Sequence, residues 1–117
     1  MVDDDPAIQA LLVAVLGAGG HEVRVTGEPE PAVRMIRERV PDVVVLDGML
    51  PGTSGFELCR RIRGLALPVQ PQIVLLTGLD EVDPVEATVA GFDRVLGKGV
   101  SPHRVLACVT ELARGRG

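Results

Sequence analysis

The chain has 117 residues, one domain by size, and is long enough to bury a core. Hydrophobic residues make up 46%, yet there are only two Phe and no Trp or Tyr, so the core must be aliphatic. The net charge of −4 argues against a nucleic-acid surface, which needs a basic patch.

The acidic start is unlike a secretory leader, and no apolar run approaches the roughly 18 residues needed to span a bilayer. Asp5-Pro6 opens a helix, with an Asp to cap and a Pro at the first turn. Ile8, Leu11, Leu12 and Val15 then form an apolar helical stripe, ended by the glycines from Gly17 to Gly20. His21 to Thr26 alternates like an edge strand. Val33, Ile36 and Val40 mark a second amphipathic helix, stopped by Pro41. Val43 to Leu46 is apolar on both faces, as a central parallel strand should be.

Pro51 to Gly55 reads as a loop, with Ser54 capping a helix that carries Leu58 and Ile62. Ile73 to Leu76 is a second doubly buried strand, ending at Thr77. Asp83-Pro84 opens a short helix to about Ala90, and Arg94 to Gly97 is a weak strand. Ser101-Pro102 opens the last helix, with Val105, Cys108, Val109 and Leu112 inward. Cys59 and Cys108 fall in helical segments and read as small core residues rather than zinc or redox groups. Arg114 and Arg116 close the chain as a glycine-rich tail, or as the stub of a linker.

Alternating strands and helices with short links imply an α/β fold, a parallel sheet with helices on both faces. Ligands in such sheets bind beyond the C-terminal strand ends. Four strand ends supply a polar residue to that rim: Asp3 and Asp4, then Asp47, Thr77 and Lys98. Three clustered carboxylates repel one another unless a cation is bound. A hard cation, Mg²⁺ or Mn²⁺, suits such oxygens and offsets the charge of an incoming phosphate. Asp47 is then a nucleophile that forms an acyl phosphate. Lys98 and Thr77 are left to hold the phosphoryl oxygens, by charge and by hydroxyl donation.

The stretches Val2 to Pro6, Val43 to Leu58, Leu75 to Gly78 and Gly91 to Lys98 together resemble the receiver domain of two-component response regulators. The most specific part is Asp47-x-x-x-Pro51-x-x-x-Gly55, and the resemblance runs essentially from end to end, 1–117. It implies a flavodoxin-like, five-stranded sheet of order 2-1-3-4-5. It implies phosphorylation of Asp47 by a sensor histidine kinase or phosphotransfer protein, with Asp4, Asp47 and the Met49 backbone carbonyl on the metal and Asp3 assisting. It also implies a cytoplasmic signalling protein that acts on a downstream protein target and is no enzyme beyond its own phosphorylation and dephosphorylation. The expected assembly is a monomer or a phosphorylation-dependent dimer, with no output domain after the last helix and no direct nucleic-acid or membrane contact.

Four departures from the family pattern stand out. Only Met1 and Val2 precede the acidic cluster, so the first strand is short and the chain reads as trimmed or begun at an internal Met. Gly99 follows Lys98 where the family has Pro, which holds the lysine less firmly. Val95 stands where a switching aromatic is typical. Met49 and Leu79 are apolar where the family lines the path of the hydrolysing water, so slow loss of phosphate is expected.

Plainer readings exist for each residue. The Asp triplet could serve a helix N-terminus, Asp47 and Thr77 could be ordinary strand ends, and Lys98 a solvated loop lysine. His21 and His103 read as surface residues, Glu81 and Asp83 as loop and cap charges, and Phe56 and Phe92 as core. Two other functions compete with the phosphoacceptor. One is a pseudo-receiver that binds partners without phosphorylation. The other is a haloacid-dehalogenase-like phosphatase, with Asp3 and Asp5 as its Asp-x-Asp pair.

Overall fold

The computed structural model describes residues 1–50, 52–78 and 83–115. Pro51, Leu79, Glu81 and Arg116, all used in the sequence reading, lie outside them. The elements are α1 (Pro6–Ala18), α2 (Pro29–Glu38), β1 (Val43–Asp47), β2 (Met49–Leu50), β3 (Thr53–Ser54), α3 (Gly55–Arg63), β4 (Gln72–Thr77), α4 (Pro84–Ala90), β5 (Arg94–Gly97) and α5 (Pro102–Gly115).

Local chemistry explains most boundaries. Asp5 caps α1 by accepting from the Ala7 and Ile8 amides, Ser54 caps α3 through the Glu57 amide, and Asp83 caps α4 through the Val85 amide. Pro6 and Pro84 stand in the first turns they were expected to open. Gly91, at φ 109°, ends α4 in the left-handed region.

The main sheet is parallel, in the order β1-β4-β5, while β2 and β3 form a separate antiparallel pair. Beyond β1 the expected first two strands are each reduced to a single-residue bridge. Val2 pairs in parallel with both Leu46 and Thr26. The Val2 amide donates to the Val45 carbonyl at 2.8 Å and the Asp47 amide to the Val2 carbonyl at 2.8 Å. The edge strand expected over 21–26 is confined to a bridge at Thr26, whose amide donates to the Met1 carbonyl and whose carbonyl accepts from the Asp3 amide. A cavity of about 360 Å³, lined among others by Val23, Arg24, Ile36, Val43 and Val45, opens beside this short ladder.

Strand alternation splits the core into two layers. Val44, Leu46, Ile73 and Leu75 pack with α2, α3 and α4; Val45, Val74, Leu76 and Leu96 pack with α1 and α5. Both layers are largely aliphatic. Phe92 is buried and meets the partly buried Phe56 edge-on at 5.3 Å. Cys59 is buried, while Cys108 is half-buried against the second layer. The α1 stripe differs from expectation: Leu12 and Leu16 are buried with Ile8 against them, whereas Leu11 is 51% exposed. The i, i+4, i+8 row faces the sheet and α5, which turns Leu11 outward. The second helix ends at Glu38, so Val40 lies past it.

Candidate functional site

The five polar residues assigned to the rim, Asp3, Asp4, Asp47, Thr77 and Lys98, lie at or just past C-terminal ends of the paired segments. Asp47 is the last residue of β1 and Thr77 the last of β4, both buried. Asp3 and Asp4 follow Val2, and Lys98 follows β5. Parallel register aligns these ends: Asp47 pairs with Leu76 and Thr77 with Gly97.

Carboxylate oxygens of Asp3, Asp4 and Asp47 lie within 4.8 Å of one another, with Asp3 and Asp47 buried and Asp4 exposed. Asp47 Oδ1 accepts from the Met49 amide at 3.2 Å and meets Lys98 Nζ at 3.0 Å. The Lys98 amide donates to the Thr77 carbonyl at 2.8 Å, tying the lysine's backbone to the end of β4. The Thr77 hydroxyl stands over Gly48, where a Cβ would come within 2.9 Å of its oxygen. Glycine thus keeps space open beside the hydroxyl.

Charge is unevenly offset. Burial pushes the Asp3 carboxyl above the ordinary Asp range and the Asp47 charge adds to this, against the Asp5 amide and the Lys98 charge. Burial works to lower the Lys98 pKa, but its contact with Asp47 and the charges of Asp47, Asp3 and Asp4 prevail, so the net shift is upward. Asp3 Oδ1 accepts from the Asp5 amide at 2.9 Å, while Asp3 Oδ2 is buried with no hydrogen-bond partner among the described residues. A buried carboxylate oxygen left unpaired among three acids, with one lysine to balance them, suits a hard divalent cation.

Asp5 is not part of the cluster. Its carboxylate is spent on the α1 amides, so an Asp-x-Asp pair of Asp3 and Asp5 does not form. His103 is exposed, as expected of a surface residue, and half-buried His21 meets the Thr110 hydroxyl through Nε2 at 3.0 Å. One contact had no sequence signal. Gln9, in the first turns of α1, donates its side-chain amide to the Asp3 carbonyl. Nothing about a glutamine at that position marks it before the turn is folded.

The family model for the response regulator receiver domain matches residues 1–110. This chain belongs to the response-regulator receiver family. The receiver domain is 41% identical to transcriptional regulatory protein AfsQ1 of Streptomyces coelicolor over 101 residues, 86% of this chain and 44% of the relative. It is 34% identical to the phosphate regulon transcriptional regulatory protein PhoB of Pseudomonas aeruginosa over 118 residues, 100% of this chain and 52% of that one. The chain thus spans about half the length of these curated relatives. Among solved structures, a putative response regulator from Chloroflexus aurantiacus superposes with TM-score 0.88 at 31% identity, covering 97% of this chain and 93% of that one. The BeF3-activated N-terminal receiver domain of Klebsiella pneumoniae RstA gives TM-score 0.81 at 35% identity, covering 97% and 95%.

A receiver domain of the two-component response-regulator family is consistent with a phosphoacceptor, and the acidic cluster is compatible with Mg²⁺. Several relatives are named as transcriptional or DNA-binding regulators, so they lend no support to the expectation that nucleic acid is uninvolved. Among the described residues no helix is long and apolar enough to cross a membrane.

Proposed function

We propose that Asp47 is the phosphoacceptor, that Asp3, Asp4, Asp47 and the Met49 carbonyl hold Mg²⁺, and that Lys98 and Thr77 receive the phosphoryl oxygens. The observation that carries this reading is the cluster of Asp3, Asp4 and Asp47 within 4.8 Å, with Lys98 on Asp47. An Asp47 oxygen attacks the phosphorus of a kinase phosphohistidine. The P–N bond breaks, its electron pair returns to the imidazole nitrogen, and an acyl phosphate remains. The cation, when bound, offsets charge on the phosphoryl oxygens. The Lys98 ammonium moves from Asp47 Oδ1 toward the new dianion, and the Thr77 hydroxyl donates to it.

The same reading takes residues 1–117 as one receiver unit in the cytoplasm, catalysing only its own phosphorylation and dephosphorylation. The bridges of Val2 to Thr26 and to Leu46 support the sheet order 2-1-3-4-5. Partners are a sensor histidine kinase or phosphotransfer protein and a downstream effector, engaged as a monomer or a phosphorylation-dependent dimer. In a longer protein of the kind its relatives represent, the phosphoryl group would gate a DNA-binding partner domain.

Val95, 40% exposed on β5, and the glycines on both sides of Lys98 favour a second reading, a pseudo-receiver that docks without phosphorylation. Acetyl phosphate or phosphoramidate with Mg²⁺, followed by intact mass, separates the two. A Mg²⁺-dependent gain of about 80 Da, lost in Asp47→Asn, supports phosphotransfer. No adduct at saturating Mg²⁺ supports the pseudo-receiver.

A further inference from the structure

The exposed Asp4 carboxylate makes no hydrogen bond among the described residues, yet it lies within 4.8 Å of the Asp3 and Asp47 oxygens. Its position is therefore set by its backbone. That backbone has little strand to hold it, since Val2 alone bridges to β1. Three other contacts hold the backbone on either side of Asp3. The Asp3 amide donates to the Thr26 carbonyl at 3.1 Å. The Asp3 carbonyl accepts from the Gln9 side-chain amide, reaching back across the α1 cap. Gly27 presses against the turn, where a Cβ would lie 3.2 Å from Asp4 Cα and 3.5 Å from the Asp3 carbonyl oxygen.

From these contacts we infer that Gln9 is a positioning residue for the cation site: its amide locks the plane of the Asp3–Asp4 peptide and so aims the Asp4 carboxylate at Asp3 and Asp47. The inference rests on the metal-binding reading above. The Asp3–Asp4 amide is planar, so its plane turns only through the Asp3 ψ and Asp4 φ rotations that flank it, and the carbonyl oxygen is its handle. With the carbonyl held by Gln9 and the Gly27 backbone lying too close to Asp4 Cα to admit a side chain between them, the Asp4 carboxylate sits with the cluster. Gln9 touches neither the cation nor the phosphoryl group, so its loss acts on metal affinity, not on the chemical step. Residues that orient metal ligands without binding the metal typically change affinity by about 10- to 100-fold when removed.

The test compares wild type, Gln9→Leu, Gln9→Lys and Asp4→Asn in full-length protein. Mg²⁺ dissociation constants come from calorimetry, and acetyl phosphate labelling rates are followed against Mg²⁺ concentration. Gln9→Leu, which keeps bulk and removes the donor, is expected to weaken Mg²⁺ binding by about 10-fold. Its labelling rate at saturating Mg²⁺ and its metal-free melting temperature stay near wild type. Gln9→Lys, whose ammonium can reach the same carbonyl, recovers most of the affinity. Unchanged Mg²⁺ affinity in Gln9→Leu overturns the inference. So does a drop that Gln9→Lys fails to reverse, or one that comes with an equal loss of metal-free stability. If wild type and Asp4→Asn bind Mg²⁺ equally weakly, the metal-binding reading itself fails and takes this inference with it.

Discussion

Lys98 Nζ lies 3.0 Å from Asp47 Oδ1, and the Lys98 amide is anchored 2.8 Å from the Thr77 carbonyl. The lysine is thus held by its backbone to β4 and by its charge to β1. Without phosphate, its ammonium balances the acid it is proposed to serve.

Removing that charge tests its role. Lys98→Met is expected to slow acetyl phosphate labelling of Asp47 on the order of 10²-fold, the scale for losing one oxyanion donor. The Lys98 pKa is raised, so its contribution to folding is fully present below the ordinary Lys value and is lost only as pH rises through the folded one. The lysine therefore carries its charge throughout the neutral range. Labelling rates of wild type between pH 6 and 9, corrected for the donor's own titration, should show no inflection that Lys98→Met removes.

Asp3 carries the opposite imbalance. Its folded pKa is raised, so the native state holds the proton more tightly than the unfolded chain. That stabilisation is fully present below the unfolded Asp value and is lost as pH rises through the raised one. Metal-free protein should therefore lose stability as pH climbs out of the acid range, and Asp3→Asn should flatten the loss. At neutral pH without metal, Asp3→Asn is expected to gain about 1–3 kcal/mol, the scale of an unsatisfied buried polar group. Thermal unfolding with and without Mg²⁺ provides the check: wild type is stabilised by the ion, Asp3→Asn much less so.

Met49 follows the acceptor by two residues and its side chain is 76% exposed at the mouth of the site. An apolar group there neither orients nor activates a water for attack on the acyl phosphate. Met49→Gln is expected to shorten the phosphoryl half-life severalfold while leaving labelling by acetyl phosphate unchanged. Decay of the phosphorylated species by intact mass measures it. A wild-type half-life of seconds would contradict the slow hydrolysis expected from the apolar positions.

Gly55 begins α3 directly beneath the acceptor strand. Its amide donates to the Gly48 carbonyl at 2.9 Å, and a Cβ on it would overlap the Asp47 carbonyl oxygen and crowd Gly48 Cα at 3.1 Å. Gly55→Ala must therefore push α3 away from the site. A cost of about 1–3 kcal/mol is expected from such overpacking, read as a lower denaturant midpoint with an unchanged slope. Gly17→Ala, with open space around the added carbon, is the control and should cost far less.

Much of this protein was legible in its residues, because local chemistry decides it. The caps Asp5, Ser54 and Asp83 and the prolines beside two of them mark where α1, α3 and α4 begin. The doubly apolar runs ending at Asp47 and Thr77 announce buried parallel strands with polar tips. Once strands are parallel, their C-terminal ends share one rim, which is why five residues from four strand ends could be grouped without coordinates.

Folding in three dimensions decided what residue types alone could not. The outward turn of Leu11 followed from how α1 packs on α5, since several helical rows fit the same apolar letters. The reduction of 21–26 to one bridge depended on which backbone groups meet across Val2 and Thr26. Asp5 was drawn out of the acidic cluster by the amides of its own helix, and Gln9 was drawn toward it by a carbonyl six residues back. Strand and cap preferences act over a few neighbouring residues, and sequence carries them openly. The partner of a hydrogen bond, and the direction a carboxylate finally points, depend on distances that exist only after the chain has closed on itself.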